Sequence, residues 1–108
     1  MNKELPKNIE AEKSLLGSMF WSRESLQKGC EEVDKDVFYL ESHAKIFDAI
    51  KHLYLSDSPV DMTSVTTYLI SVDKIKEIGG VEYLNEVVNS VATGANIEYY
   101  INLVSEKY

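Results

Sequence analysis

The sequence has little of several things that would define common protein classes. It contains one cysteine, Cys30, which excludes an intrachain disulfide and a cysteine-based zinc site. No apolar run approaches the roughly 20 residues that a membrane-spanning helix needs. Its one glycine pair, Gly79-Gly80, is followed by Val81 and Glu82, so it does not open a phosphate-binding loop of the G-x-x-x-x-G-K-[ST] type. We therefore expect no membrane contact and no nucleotide-binding motor in this stretch.

Positive charge is scarce as well. Eleven lysines and arginines stand against 18 acidic residues, for a net charge of −7, and no basic residue occurs between Glu77 and Glu106. A nucleic-acid backbone would be repelled by such a surface, so direct nucleic-acid binding is not expected. Two interpretations stay open: the acidity maintains solubility, or it forms a surface for a basic protein partner.

The remaining composition is that of one globular domain spanning residues 1–108. Hydrophobic residues make up 44% of the chain and charged residues 27%. The first residues, MNKELPKNIEAEK, lack the apolar core of a signal peptide, which leads us to expect a cytoplasmic location.

Apolar residues at helical spacing predict two helices, a long one that ends before Pro59 and a second one that follows it. We expect Ser42 to cap the first helix and Asp61 to open the second. The predicted inward stripes are Ile46, Phe47, Ile50, Leu53 and Tyr54 in the first helix, and Met62, Val65, Leu69 and Val72 in the second. We expect this pair of helices to form the centre of the domain.

Four further helices are predicted by the same periodicity. The first runs from Ile9 to about Phe20, and its Gly17 suggests that another helix crosses close by. A shorter helix is predicted to begin after its cap residue, Ser22. Phe38 and Tyr39, in the connection that follows this helix, are expected to pack into the core. The last two follow Gly79-Gly80 and Asn96, with the stripes Val81, Leu84, Val87, Val88 and Val91, and Ile97, Tyr100, Ile101, Val104 and Tyr108. We expect Thr93-Gly94 to end the helix that follows Gly79-Gly80. The predicted fold is all-α, a compact orthogonal bundle of about six helices whose last helix is still unfinished at Tyr108.

A search for chemistry predicts no catalytic, cofactor-binding or metal-binding residue. His43 and His52 are nine positions apart on one helix and do not share a face, so joint metal ligation is not expected. We interpret His43 as a structural, hydrogen-bonded residue and Cys30 as a small core residue. The acidic residues from Glu31 to Asp36 lack the spacing of a calcium loop and are interpreted as solvated.

Four segments in a fixed order resemble the N-terminal domain of DnaB-type replicative DNA helicases. They are NIEAEKSLLGSMF, DVFYLESHAKIFDAIKHLY, SPVDMTSVTTYL and IGGVEYLNEVVNSVATGANIEYYINLVSEK. The resemblance runs from about Leu5 to Tyr108. It implies a helical head followed in the parent protein by a helical hairpin, a linker and a RecA-like motor that uses ATP and magnesium. The chain would be cut in the helix that leads to the hairpin.

What the resemblance implies about function is a collar domain that is not itself catalytic. In such helicases six subunits form a ring that unwinds DNA 5′ to 3′, and the N-terminal collar assembles with other helicase subunits, recruits the C-terminal domain of DnaG-type primase and influences loader contacts. The first acidic position of the I-E-A-E motif matches Glu10, and the aromatic position after Gly-Gly matches Tyr83. Both are expected to contribute to the primase-binding surface. For Tyr83 partial core packing is the alternative, and for Glu10 a favourable charge near a helix N-terminus.

Two other hypotheses remain open from the sequence. One is a free-standing acidic helical regulator, phage-encoded for example, that competes for replication proteins. The other is a small all-α enzyme that uses the acids between Glu31 and Asp36.

Overall fold

The computed structural model describes the backbone of residues 5–105 and the side chains of residues 9–105. Over this range it contains six α-helices, a short 3-10 turn at Lys35–Val37, and no strand. The helices are α1 (Leu5–Ser18), α2 (Arg23–Glu32), α3 (Glu41–Leu55), α4 (Met62–Ser71), α5 (Gly80–Val88) and α6 (Ile97–Ser105). The predicted all-α class and the number of helices are confirmed. The end of the predicted last stripe, Tyr108, lies outside the described residues.

Two helices begin at side-chain caps that the sequence predicts. Ser22 Oγ accepts a hydrogen bond from the Ser25 backbone N–H at 3.0 Å and so caps α2. At the start of α4, Asp61 and Ser64 form a reciprocal capping box, in which each side chain accepts from the other's backbone N–H. Local sequence alone therefore defines these two helix starts.

The start of α3 differs from the prediction. The helix begins at Glu41, its N-cap residue is Leu40, and no side-chain cap bond is made there. The predicted cap, Ser42, already lies inside the helix, so this prediction is wrong. The backbone N–H groups that precede α3 are instead bound by a carboxylate from α1, described below.

The centre of the domain is α1 rather than the predicted pair α3 and α4. Helix α1 packs against α2, α3, α5 and α6, whereas α4 contacts α3 and α5 near the edge. Its buried positions include small and polar residues as well as large apolar ones. The buried residues of α1 and the turn after it are Ala11, Glu12, Leu15, Leu16, Gly17, Ser18 and Met19. The polar residues Glu12 and Ser18 interrupt the apolar stripe of α1, so the stripe alone does not show that this helix is central.

Gly17 permits α1 and α5 to approach closely, as its position in the sequence suggests. A Cβ atom at Gly17 would lie 2.4 Å from the carbonyl oxygen of Val87 and 2.8 Å from Ser90 Oγ. Neither distance is compatible with a side chain, so the two backbones are in direct contact here. This contact places α5, and the residues near its start, against α1.

Three apolar residues assigned to the core are exposed. Tyr39 is 59% exposed and only its neighbour Phe38 is buried; Val81 is 46% exposed and Val72 38%. Val72 is the C-cap of α4, where the helical spacing has stopped, and Val81 lies off the face of α5 that carries Leu84 and Val87 inward.

Two predicted helix bounds were also wrong: α1 spans Leu5–Ser18, and α5 ends at Val88 rather than at Thr93-Gly94. The other predicted residues of the central stripes point inward: Ile46, Phe47, Ile50, Val65 and Leu69 are buried, and Leu53, Tyr54 and Met62 are partly buried against the core.

Helices α3 and α4 end in the same backbone motif, with an aspartate where glycine is usual. Asp57 and Asp73 adopt positive φ angles of 61° and 63°. After α4, the Lys74 N–H donates to the Leu69 carbonyl at 2.8 Å and the Asp73 N–H to the Ile70 carbonyl at 3.0 Å, the pattern of a Schellman motif. Each aspartate also carries negative charge at a helix C-terminus, where the helix dipole is unfavourable to it.

We expect Asp73→Gly to stabilise the domain by about 1 kcal/mol, because it relieves the left-handed conformation and removes the misplaced charge. Urea denaturation followed by circular dichroism measures the change. As a control, Asp48→Gly in the exposed middle of α3 should destabilise by roughly 0.5 kcal/mol. Equal destabilisation by both changes would contradict this account.

Candidate functional site

A polar cluster is buried where α1, α3 and α5 meet. Glu12 is 1% exposed and His43 0%, and Glu12 Oε1 lies 2.7 Å from His43 Nδ1. On the other side of the imidazole, His43 Nε2 lies 2.6 Å from the Tyr83 hydroxyl oxygen. The three side chains form one hydrogen-bonded chain that joins three helices. The prediction that His43 is a structural, hydrogen-bonded residue is confirmed.

Glu12 uses both carboxylate oxygens. Oε2 accepts from the Tyr39 backbone N–H at 2.5 Å, while Oε1 lies 2.7 Å from His43 Nδ1 and has a longer contact of 3.5 Å with the Leu40 N–H. Glu12 is therefore the acceptor for the two backbone donors. It thereby satisfies backbone donors before α3 that no local side chain caps.

Tyr83 connects this buried chain to the surface. Its ring is partly buried and lies nearly parallel to the His43 ring, with centroids 5.8 Å apart and planes 13° apart. Gly79 and Gly80, both at positive φ, lie just before this point, and a Cβ atom at Gly79 would come 2.8 Å from Tyr83 Cβ. The glycine pair thus leaves room for the tyrosine to point toward α1 and α3.

Charged side chains surround the exposed part of Tyr83. Lys13 Nζ lies 2.6 Å from Glu86 Oε2 and 5.8 Å from the centroid of the Tyr83 ring. The hydrogen bond to Glu86 raises the pKa of Lys13. The pKa of Tyr83 is raised, mainly by burial and further by the charges of Glu86 and Glu10, against the opposing effect of Lys13.

The structure therefore brings the two predicted contact residues to one surface. Glu10 is exposed on α1, and its charge acts on both Lys13 and Tyr83. We call the surface formed by Glu10, Lys13, Tyr83 and Glu86 the Tyr83 face. Tyr83 is partly buried and packs against the core, as its structural interpretation predicts, and the rest of its side chain is accessible on this face.

Sequence reasoning missed Glu12, which organises the cluster. A signal was present: Ile9, Glu12, Leu16 and Met19 recur at helical spacing, so Glu12 occupies an inward position of an apolar stripe. A carboxylate at such a position requires buried hydrogen-bond donors. Only the fold shows that these come from the segment before α3, 27 and 28 residues along the chain.

The other candidate residues are placed as interpreted. Cys30 is buried, and burial raises the pKa of its thiol to about 11, which disfavours the reactive thiolate. His52 is exposed and stacks on Tyr68 with ring centroids 4.5 Å apart. The acids from Glu31 to Asp36 are exposed.

Within residues 9–105 no group of three or more His, Cys, Asp or Glu side chains is placed to hold a metal ion. None of the described helices is long and apolar enough to cross a membrane.

Fold and cluster together define a small all-α domain in which a buried polar chain supports a surface tyrosine. Residues 4–106 match the sequence model described as "DnaB-like helicase N terminal domain". The chain therefore belongs to the family of DnaB-like helicase N-terminal domains.

Individual relatives agree with this family. The chain is 44% identical over 102 residues to the replicative DNA helicase DnaC of Bacillus subtilis (strain 168), an alignment that covers 94% of this chain and 22% of that protein. It is 40% identical to the replicative DNA helicase DnaB of Geobacillus stearothermophilus, with the same coverage. The crystal structure of the N-terminal domain of DnaB helicase from Mycobacterium tuberculosis superposes with a TM-score of 0.86 at 35% identity, covering 91% of this chain and 68% of that one. The chain thus spans about a fifth of the length of these curated relatives.

We expect Glu12→Ala to destabilise the domain by about 3 kcal/mol or more, because it leaves several buried N–H donors without an acceptor. Glu10→Ala, two positions away on the exposed side of α1, is the matched control and should change stability by no more than about 0.5 kcal/mol. Urea denaturation curves of the two variants provide the test. Similar destabilisation by both would show that the buried carboxylate is not a structural support.

Alkaline titration tests the environment of Tyr83. Because its pKa in the folded domain is raised above the ordinary value of about 10, folding favours the neutral phenol, and this contribution is complete below that pH and is lost as pH rises through the folded pKa. We expect Tyr83→Phe to remove a late-titrating phenolate from the ultraviolet titration and to flatten the loss of stability above pH of about 10. Loss of an ordinary, early-titrating phenolate in Tyr83→Phe would contradict the partial burial of its phenol group.

Proposed function

We propose that this chain is the head domain, residues 1–108, of a replicative DNA helicase, and that it acts in ring assembly with other helicase subunits and in docking a DnaG-type primase. The parent protein would be an ATP-dependent 5′–3′ helicase of the cytoplasm, with ATP and magnesium bound in a separate motor domain. Family membership over residues 4–106 supports the first part. In this proposal the head itself binds partners and catalyses no reaction.

The Tyr83 face carries the docking proposal. The hydrogen-bonded Glu12–His43 pair restricts the side-chain conformations of Tyr83 before any partner binds, so less conformational entropy is lost on binding. Charged groups surround it, as in interfaces where a central aromatic residue provides most of the binding energy and a polar rim excludes water. The absence of basic residues from Glu77 to Glu106 suits a basic protein partner better than nucleic acid.

The comparisons favour the helicase over the two alternatives. The matched relatives are replicative helicases, which gives no support to a free-standing regulator. The small-enzyme hypothesis rested on the acids from Glu31 to Asp36, and these are exposed on the surface.

Docking can be measured by calorimetric titration of the chain with the C-terminal domain of its cognate DnaG-type primase. We expect Tyr83→Ala to weaken binding by about tenfold or more, as truncation of a central tyrosine does, and Glu10→Ala to weaken it by a smaller factor. Neither change should lower the melting temperature enough to unfold the domain at the titration temperature.

Matched controls lie elsewhere on the domain. Tyr99→Ala changes a tyrosine that is 61% exposed on α6, and Glu24→Ala changes an exposed glutamate on α2. Both should leave the affinity unchanged. Unchanged affinity in both Tyr83→Ala and Glu10→Ala would reject this surface. If the primase domain binds neither the chain nor the full-length helicase, the docking proposal itself is rejected.

A further inference from the structure

The hydrogen-bond chain beneath Tyr83 determines the direction in which its hydroxyl proton points. The first step is at Glu12, where both oxygens lie against backbone N–H groups, those of Tyr39 and Leu40, and Oε1 also lies 2.7 Å from His43 Nδ1. An ionised carboxylate can only accept hydrogen bonds. With the carboxylate as the acceptor, the hydrogen of this contact is on the facing His43 nitrogen, Nδ1.

The second step is at the imidazole. A neutral histidine carries one ring hydrogen, so a hydrogen on Nδ1 leaves Nε2 as an acceptor. A neutral ring also avoids a second buried charge at a residue with no exposed surface. The Tyr83 hydroxyl, 2.6 Å from Nε2, then donates its proton inward.

The third step is at the surface. A hydroxyl whose hydrogen is already donated offers only its lone pairs to an approaching group. The nearest acidic neighbours on the Tyr83 face, Glu10 and Glu86, also offer only acceptors, and Lys13 is held by Glu86 at 2.6 Å. Lys13 Nζ lies 5.8 Å from the centroid of the ring and pairs with Glu86, which leaves Glu10 as the acidic side chain of this face whose charge Lys13 does not pair at 2.6 Å.

We propose that Glu12 and His43 are positioning residues that make the Tyr83 hydroxyl an obligate hydrogen-bond acceptor, and that the docking partner meets it with a basic side chain. This inference rests on the proposed docking function and adds the chemistry of the partner's contact. A lysine or arginine of the partner donates an N–H to the hydroxyl oxygen while its charge faces Glu10 and Glu86. A partner that presents a carboxylate or a carbonyl at this point finds no donor on the hydroxyl and is discriminated against.

The free chain allows a test that does not depend on any partner. It contains only two histidines, His43 and His52, so long-range proton–nitrogen correlation spectra can be assigned with His52→Gln. In mildly alkaline buffer we expect His43 to carry hydrogen on Nδ1 and none on Nε2, whereas the exposed His52 should favour the opposite tautomer. Hydrogen on Nε2 of His43, whether as the other tautomer or as the imidazolium ion, would overturn the proposal.

Binding to the primase C-terminal domain tests the consequence. Tyr83→Phe retains the ring and removes the acceptor, and we expect it to weaken binding by about tenfold. Glu12→Gln places an amide N–H against Nδ1, which moves the ring hydrogen to Nε2 and turns the Tyr83 proton outward. We expect a similar loss, accompanied by the reversed tautomer in the spectrum, and no further loss when Glu12→Gln is added to Tyr83→Phe.

The outcomes separate this inference from the function on which it rests. If Glu12→Gln lowers the affinity for primase as much in the Tyr83→Phe background as it does alone, Glu12 acts only through folding. If Tyr83→Phe leaves the affinity unchanged, the hydroxyl accepts no hydrogen bond from the partner. Either result overturns the proposal. Affinity that does not fall with rising sodium chloride would overturn the basic contact. If the unchanged chain and the full-length helicase both fail to bind primase while the expected tautomer is observed, the docking function fails and the geometry of the cluster stands.

Discussion

The Glu12 carboxylate is the interaction on which the arrangement of this domain depends. Burying a charge is costly unless it is surrounded by hydrogen-bond donors, and here the donors come from two places that are distant in sequence. The Tyr39 and Leu40 N–H groups determine where α3 begins, and His43 fixes how α3 is turned about its axis. Apolar packing is non-directional and would tolerate small rotations of α3 against α1, whereas a buried carboxylate with directed partners does not.

The same carboxylate explains how a surface property is controlled from the interior. Tyr83 belongs to α5, yet its hydroxyl is held by α3 through His43, and α3 is held by α1 through Glu12. A change in any of these helices alters the surface presented to a partner. Surface and core are thus parts of one polar network and cannot vary independently.

Much of the fold could be predicted from the sequence, because helical periodicity and local caps are properties of neighbouring residues. The caps Ser22 and Asp61 and the buried residues Ile46, Phe47 and Leu69 are of this kind. The central place of α1 and the role of Glu12 could not be predicted in the same way, since both depend on contacts between distant segments. Of the candidate site, Glu10 and Tyr83 came from a family resemblance, and their proximity became visible only when α1 and α5 were packed together.

The direct contact of α1 with α5 at Gly17 has a mechanical consequence. Two backbones that touch without an intervening side chain have little room to slide or rock, so α5 and α1 move as a single stiff unit. A force applied at Tyr83 is then transmitted to the whole length of α1 rather than absorbed by a local shift of α5. A joint of this kind would let the domain bear load at Tyr83 as one rigid body.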